Sequence, residues 1–537
     1  MKNLNEIFST NQEIPEMYKI EKPFIQSEYL INGELKTWKG EFKKVYSPIY
    51  VKNGEQLDNY IGECPVLTTK ESMEALESAS KAFDHGNGKW AKMKVEERID
   101  CLKKFTLMMS KARDLIVKLL MWEIGKSLSD SQKEFDRTIT YIYDTIEAVK
   151  DLDRASSRFT ISQDIIAQIR RAPLGVTLCM GPFNYPLNET FTTLIPALIM
   201  GNTIIFKPPK LGMLLFQPLL RAFQQCFPAG VVNTIYGSGE NVVTPIMQSE
   251  KTNVLAFIGT SRVANILKKE HPKPNRLKTV LGLDAKNPAI ILDGADLDLT
   301  VKECAIGSLS FNGQRCTALK IIFVQEQIAQ KFTEKLVDYV EKMEIGLPWD
   351  KNVAITPLPE TNKAEYLQSL IDDAVAKGAK LENPNGGKHY ESLFFPAILS
   401  NVNSSMRVYH EEQFGPIIPI VTYESICEPL VYVIESNHGQ QASLFGNNSD
   451  EIANLVDVLV NQVCRVNINS QCQRGPDDFP FTGRKDSAEQ TLSVSDALRV
   501  FSIRTLVAAK ETEENKMIIR DIVKEDKSNF LNTDFIL

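Results

Sequence analysis

The residue in this chain best suited to covalent chemistry is Cys316, within the stretch Phe311-Asn-Gly-Gln-Arg-Cys-Thr317. This cysteine follows a glycine-containing loop and comes directly after Arg315. A neighbouring cation lowers the pKa of a thiol, and the thiolate is the form that attacks a carbonyl carbon. Taken alone, however, the stretch fits a buried structural cysteine better.

Three further stretches adjoin predicted strands. Gly181-Pro-Phe-Asn-Tyr-Pro186 carries an amide, Asn184, that can donate a hydrogen bond. Phe206-Lys-Pro-Pro-Lys210 holds two lysines suited to a ribose and a phosphate. Glu411-Glu-Gln-Phe-Gly-Pro416 places an acid and an aromatic residue before a strand. In isolation they also fit a Pro-Asn turn, a solvated basic corner and a loop that enters a sheet.

Short β-rich runs that alternate with helical stretches must position these residues. The runs are VTLCM (176–180), TIIF (203–206), VVNTIYG (231–237) and VLAFIG (254–259), and a second series contains AIIL (289–292), IIFV (321–324) and PIIPIV (416–421). This alternation is typical of doubly wound parallel sheets, in which a dinucleotide binds at the carboxyl ends of the strands. The predicted fold class is therefore α/β.

Composition excludes several classes of protein. The 537 residues carry a net charge of -7, which gives no basic footprint for nucleic acid. The most apolar run, 194–206, is shorter than the roughly 20 residues of a membrane span, so we predict no membrane partner. The beginning of the chain lacks the apolar core of a signal peptide. Nine cysteines without a Cys-x-x-Cys pair, and five histidines without His-x-x-x-His, predict a cytoplasmic protein without a metal site.

Together, in this order and spacing, the four stretches resemble the aldehyde dehydrogenase superfamily, over roughly Thr69 to Val507. Arg474-Gly-Pro-Asp-Asp-Phe-Pro-Phe481 is most similar to its branch of NADP-dependent, non-phosphorylating glyceraldehyde-3-phosphate dehydrogenases. The resemblance implies that the Cys316 thiolate attacks an aldehyde, that hydride passes to a nicotinamide, and that water hydrolyses the resulting thioester. Asn184 and the backbone N–H of Cys316 would stabilise the oxyanion.

The resemblance also implies the binding residues. Glu412 would hold the nicotinamide ribose, and Lys207 the adenosine ribose. Lys210 stands where NAD-preferring relatives often have a glutamate, and a lysine there favours the 2′-phosphate of NADP. The complete cofactor set is Gly181, Pro182, Phe183, Lys207, Lys210, Gly239, Gly259, Thr260, Glu412 and Phe414. A small phosphorylated aldehyde would be bound by Arg137, Tyr185, Arg315 and Arg474.

One departure from the superfamily concerns water activation. The common Glu-Leu-Gly-Gly motif supplies a glutamate for this step, whereas here Val280 takes its place in a loop that looks about two residues longer. Asp284 is then the nearest candidate base, although it equally fits a turn residue. Two alternatives stay open: a coenzyme A-acylating semialdehyde dehydrogenase, and a catalytically impaired protein that keeps the fold for binding.

The expected architecture has a Rossmann-like cofactor domain, an α/β catalytic domain and a small β oligomerisation element. We expect exposed strand edges in the last of these to pair subunits into a homodimer or homotetramer. The predicted boundaries are 1–154 with 174–279 for the NADP-binding domain, 280–485 for the catalytic domain, 155–173 with 486–510 for the oligomerisation element, and 511–537 for a C-terminal extension.

Overall fold

Strands and helices alternate along most of the chain in this computed structural model, which describes residues 4–534 and 536. The strands are β1 Phe24–Ile25, β2 Glu28–Ile31, β3 Glu34–Thr37, β4 Phe42–Asn53, β5 Gln56–Pro65, β6 Phe159–Ser162, β7 Ile165–Pro173, β8 Val176–Met180, β9 Thr203–Lys207, β10 Val232–Thr234, β11 Val254–Ile258, β12 Lys278–Gly282, β13 Asn287–Ile291, β14 Leu319–Gln325, β15 Lys380–Leu381, β16 His389–Tyr390, β17 Leu393–Phe394, β18 Ala397–Ser400, β19 Ile417–Tyr423, β20 His438–Gly439, β21 Gln441–Phe445, β22 Arg465–Ile468, β23 Arg484–Lys485, β24 Ala488–Glu489 and β25 Ser502–Lys510.

The helices are α1 Leu4–Ile7, α2 Thr69–Phe83, α3 Lys89–Lys92, α4 Val95–Lys111, α5 Arg113–Ile124, α6 Leu128–Ser156, α7 Asn188–Ile199, α8 Gln217–Cys226, α9 Gly239–Val242, α10 Thr244–Gln248, α11 Ser261–Glu270, α12 Leu297–Leu309, α13 Glu326–Val340, α14 Lys363–Ala376, α15 Arg407–His410, α16 Cys427–Glu435, α17 Ser449–Leu459, α18 Val494–Val500 and α19 Glu513–Lys524. Short 3₁₀ turns cover Glu16–Tyr18, Asp84–Gly86, Leu214–Phe216 and Ser310–Gly313.

The first large sheet has the strand order β10-β9-β8-β11-β12-β24, in which only the short β24 is antiparallel. Its central strands are apolar on both sides because helices pack on both faces. Leu178 of β8 lies in one core cluster with Leu76 of α2, whereas Cys179 lies in another with Leu194 of α7. The carboxyl ends of β8, β9, β11 and β12 therefore come together at one edge.

The second large sheet has the order β15-β18-β19-β14-β13-β21-β22, parallel except for β15. Together with the first sheet it confirms the predicted α/β class. The predicted boundary between residues 279 and 280 falls within β12, which belongs to the first sheet. β24 also joins that sheet and not the predicted oligomerisation element.

Strands from the predicted oligomerisation element, β6, β7 and β25, form a small sheet in which β25 pairs along the whole of β7. The C-terminal extension contacts the body of the molecule beside this sheet. Asn532 accepts a hydrogen bond from Arg170 of β7 at 2.6 Å, and Asp526 pairs with Lys94 at 2.7 Å. The extension is thus held against the first half of the chain.

Among the described residues, none of the helices combines the length and the apolar composition that crossing a membrane requires. Nor does any cluster of three or more His, Cys, Asp or Glu side chains in the described part of the chain have the arrangement of a metal site. All nine cysteines are free thiols.

Candidate active site

A cavity of about 550 Å³ opens where the carboxyl ends of the first sheet face the loops that enter the second sheet. Residues from distant parts of the sequence line it together. Of the predicted site residues, it brings together Arg137, Pro182, Phe183, Asn184, Tyr185, Gly259, Thr260, Asp284, Arg315, Cys316, Glu412, Phe414 and Arg474. Cys316 therefore faces a cleft and is not enclosed by hydrocarbon.

The loop before Cys316 is shaped by unusual backbone conformations. Helix α12 ends in a 3₁₀ turn in which Phe311 and Asn312 are left-handed, with φ of 50° and 56°. Asn312 compensates for this strain by exchanging two hydrogen bonds with Thr356, at 3.0 and 2.9 Å. Gly313 has φ of 71°, and a Cβ there would lie 2.7 Å from the carbonyl oxygen of Gly415, so only glycine fits.

The carbonyl group of Cys316 is fixed by two side chains that sequence reasoning missed. Asn287 Nδ2 donates to this oxygen at 2.7 Å, and Lys320 Nζ donates to it at 3.0 Å. Lys320 is 1% exposed, and a buried lysine is rare without partners. The only sequence signal was a lysine inside the apolar run of β14.

Burial raises the pKa of the Cys316 thiol above its ordinary value, and the negative charge of Glu189 adds to the rise. The positive charges of Lys320 and Arg474 oppose this effect without reversing it. The net result is a raised thiol pKa, whereas the adjacent Arg315 predicts a lowered one. Its guanidinium instead donates to the carbonyl oxygen of Gly307 at the end of α12, at 2.8 Å.

Asn184, the predicted oxyanion donor, lines the same cavity as Cys316. Its Nδ2 donates one hydrogen to the carbonyl oxygen of Gln314 at 2.7 Å, which holds the amide beside the Cys316 loop. An amide nitrogen carries two hydrogens, so the other can serve a bound oxyanion. The buried Lys126 donates to the carbonyl oxygen of Asn184 at 2.8 Å, and its Nζ lies 3.5 Å from the centre of the Tyr185 ring.

Glu412 is held by strand β14 of the second sheet and by the loop between β12 and β13. It forms a buried ion pair with Lys320 and accepts a hydrogen bond from the Ala285 N–H at 3.2 Å. Phe414 packs edge-on against Phe183, with ring centres 5.8 Å apart. Glu412 and the aromatic pair thus form one wall of the cavity.

The structure of β12 differs from the expectation that Val280 stands in the cavity where the family glutamate activates water. Val280 does not occupy a position facing the cavity: it is 1% exposed and packs in the apolar core. The residues of this strand end that line the cavity are Gly282, Leu283 and Asp284. The strand end therefore presents Gly282, a residue without a side chain, to the cavity.

Asp284, the predicted candidate base, lies at the side of the cavity that adjoins α11. Its Oδ2 accepts a hydrogen bond from the backbone N–H of Ser261 at 2.7 Å, at the start of α11. A carboxylate at a helix N-terminus is stabilised by free N–H groups and by the helix dipole. This contact explains Asp284 as a helix-capping residue and gives no support to a role as base for the Cys316 thioester.

Two of the three predicted substrate arginines are paired with carboxylates. Arg474 forms a buried ion pair with Glu189 and donates to the carbonyl oxygen of Leu492 at 3.2 Å. Arg137 binds Asp477 through two hydrogen bonds of 2.9 and 2.7 Å, and Asp477 also lies 3.4 Å from Arg474. Burial would raise the pKa of Asp477, but the two arginines hold it below its ordinary value.

Four predicted cofactor residues lie outside the cavity wall. Gly181 packs closely against α7, because a Cβ at this position would overlap the side chain of Thr190. Lys207 ends β9, and burial together with nearby Lys43 lowers its pKa to about 8. Lys210 is exposed just beyond, and Gly239 begins α9 with open space where a Cβ would stand.

Comparison with known proteins agrees with this geometry. The profile of the aldehyde dehydrogenase family matches residues 47–506. The NADP-dependent glyceraldehyde-3-phosphate dehydrogenase of Streptococcus equinus is 35% identical over 492 residues, covering 91% of this chain and 98% of that protein. The protein of the same name from Arabidopsis thaliana is 30% identical over 501 residues, covering 91% and 97%.

The chain is also similar to a solved structure, the NADP-dependent glyceraldehyde-3-phosphate dehydrogenase from Bacillus halodurans C-125 complexed with NADP. The TM-score is 0.82 at 30% identity, and the match covers 90% of this chain and 99% of that one. With its fold, its cysteine-centred cavity and a family profile that matches most of its length, this chain belongs to the aldehyde dehydrogenase family.

Proposed function

We propose that this chain oxidises glyceraldehyde 3-phosphate to 3-phosphoglycerate with NADP, without phosphorylation, through a thioester on Cys316. The observation that carries the proposal is one cavity, lined by Cys316 and Asn184 and by an arginine cluster. The cluster consists of Arg137, Arg315 and Arg474. Similar proteins from Streptococcus equinus and Arabidopsis thaliana carry the name of this activity.

The chemistry centres on the cysteine sulfur. The thiolate of Cys316 forms a bond to the aldehyde carbon, and the carbonyl oxygen becomes an oxyanion that accepts hydrogen bonds from Asn184 Nδ2 and the Cys316 N–H. Loss of hydride from this carbon leaves a thioester, and water then releases the acid and restores the thiol. When bound, NADP supplies the hydride acceptor.

Lys207 supports a cofactor site at the ends of β8 and β9. A cation whose pKa falls to about 8 through burial is poorly solvated, and an oxygen-rich ligand would satisfy it. Lys207 and the exposed Lys210 would hold the adenosine ribose and its 2′-phosphate, and Gly259 and Thr260 would lie beside the pyrophosphate. Glu412 would hold the nicotinamide ribose.

Cofactor choice gives a direct test of this assignment. Changing Lys210→Glu places a carboxylate near the 2′-phosphate, so we expect the ratio of kcat/KM for NADP to that for NAD to fall at least about tenfold. Steady-state rates with both cofactors measure this ratio, and Lys269→Glu on the helix α11 surface serves as a control. An unchanged ratio in the Lys210 variant would refute the role of Lys210.

Substrate choice tests the activity itself. The full-length protein should form NADPH from glyceraldehyde 3-phosphate faster than from unphosphorylated glyceraldehyde, and the Cys316→Ala variant should form none. Absorbance at the NADPH band records both. No NADPH from glyceraldehyde 3-phosphate at any concentration would overturn the proposed substrate.

A second candidate acceptor for the acyl group is the thiol of coenzyme A, which needs no glutamate for water activation. The observation in its favour is the engagement of every carboxylate that lines the cavity in the described part of the chain. Glu189 binds Arg474, Asp284 binds the start of α11, Glu412 binds Lys320, and Glu360 lies 3.2 Å from Lys363. Formation of acyl-coenzyme A in place of the free acid would show that coenzyme A, and not water, accepts the acyl group.

A further inference from the structure

Glu189 is an acid in an otherwise unsuitable place. It lies in the first turn of α7, whose residues are all buried, and is itself only 7% exposed. A carboxylate in such surroundings is costly unless it is paired, and its partner is Arg474. The two residues are 285 positions apart in the sequence, and both line the cavity beside Cys316.

The charges at this end of the cavity nearly cancel. Three arginines, Arg137, Arg315 and Arg474, face two carboxylates, Glu189 and Asp477. One unit of positive charge remains to offset the two negative charges of a phosphate. Arg474 directs Nη1 at Glu189 and Nη2 at the carbonyl oxygen of Leu492, whereas its buried Nε has no hydrogen-bond partner among the described residues.

We propose that Glu189 is a specificity-determining residue that withholds Arg474 from the substrate and so reduces the preference for a dianionic tail. The inference rests on the proposed function only in treating the arginine cluster as the place where the far end of the aldehyde binds. Without the Glu189 charge, Nη1 of Arg474 no longer pairs with a carboxylate and the cluster gains one unit of positive charge, and both changes favour phosphate.

The test measures binding of non-reacting ligands to the full-length protein by calorimetry. Glycerol 3-phosphate represents the dianion, and 3-hydroxypropanoate the monoanion. In Glu189→Gln, which keeps the shape and removes the charge, we expect affinity for glycerol 3-phosphate to rise about 10- to 100-fold. Affinity for 3-hydroxypropanoate should rise by a smaller factor.

Two further variants keep the result interpretable. Glu189→Leu replaces the acid with an apolar side chain that suits α7, and it should give the same shift if the Gln variant does not fold. Glu360→Gln removes a cavity carboxylate that pairs with Lys363, outside the arginine cluster, and should leave the ratio of the two affinities unchanged.

An unchanged or weaker affinity for glycerol 3-phosphate in folded Glu189 variants would overturn the inference, since Glu189 would then only hold Arg474 in position. An equal gain for both ligands would overturn it too. These outcomes are separate from the fate of the proposed function, because they need no turnover. That function fails if the unmodified protein makes no NADPH from glyceraldehyde 3-phosphate.

Discussion

Cys316 combines access to a cleft with a thiol that is harder to ionise than an exposed one. Burial and the Glu189 charge raise its pKa, and Lys320 and Arg474 offset only part of the rise. The reactive group is therefore mostly protonated near neutral pH, and the fraction of thiolate falls as pH falls below the raised value.

This raised pKa predicts how alkylation depends on pH. The rate at which iodoacetamide modifies Cys316 should keep rising with pH beyond about 8.5, the ordinary value for a cysteine. Mass spectrometry of the peptide that contains Cys316 measures the rate, with the exposed Cys427 in the same sample as an internal control. A rate that reaches its plateau by pH 7 would contradict the raised pKa.

At the scale of elements, the end of β12 determines whether a general base is available to hydrolyse the proposed thioester. Gly282 faces the cavity and offers no proton acceptor, and the lining carboxylates of the described chain are held by other partners. The position has room for a side chain, because the atoms nearest to an added Cβ are those of Ile258, at 3.4 and 3.5 Å, and of Leu492, at 3.8 Å.

We therefore expect Gly282→Glu to accelerate hydrolysis of the thioester. If water attack limits turnover, the unmodified protein should show a fast burst of NADPH followed by a slow phase. The new carboxylate should raise the slow phase at least about tenfold, since general bases contribute about 10²–10⁴ in rate. Stopped-flow absorbance separates the two phases.

Gly282→Gln is the matched control, with the same size and no proton acceptor, and it should leave the slow phase unchanged. Equal acceleration by both variants would show that the side chain acts by shape. Absence of any burst in the unmodified protein would show that a step before hydrolysis limits the rate.

The elements themselves were largely predictable, whereas their pairings were not. The run Val176–Met180 is a strand with the predicted bounds, because five consecutive apolar residues before Gly-Pro suit a strand covered on both faces. The ion pair of Glu189 with Arg474 has no signal within either local sequence. Val280 was misjudged because an apolar run does not reveal which of its residues reaches the cavity.

At the scale of the whole molecule, the sheet of β6, β7 and β25 is the surface most suited to assembly. Its outer strand β25 is unpaired along one edge within the described chain, and exposes Ile503, Leu506 and Val507. Unpaired strand edges and exposed apolar side chains both favour contact with a second copy.

We expect the protein to sediment as a dimer or tetramer of its 60.4 kDa chain, as anticipated from the sequence. The double change Ile503→Glu and Leu506→Glu should shift it towards the monomer, because charges would be buried in the contact. Analytical ultracentrifugation measures the shift. Leu107→Glu, at an exposed apolar residue of α4, is the control and should leave the mass unchanged.

The bond between Asp284 and the start of α11 has a consequence for every anion that approaches this helix. A pyrophosphate oxygen that accepted a hydrogen bond from the Ser261 N–H would have to displace the Asp284 carboxylate, which already accepts from it. The oxygen would also have to approach the negative charge of this carboxylate. The lost bond lowers the affinity of the incoming anion by a corresponding free energy. If the pyrophosphate binds at the start of α11 as proposed, the Asp284 carboxylate would act as an intramolecular competitor for it.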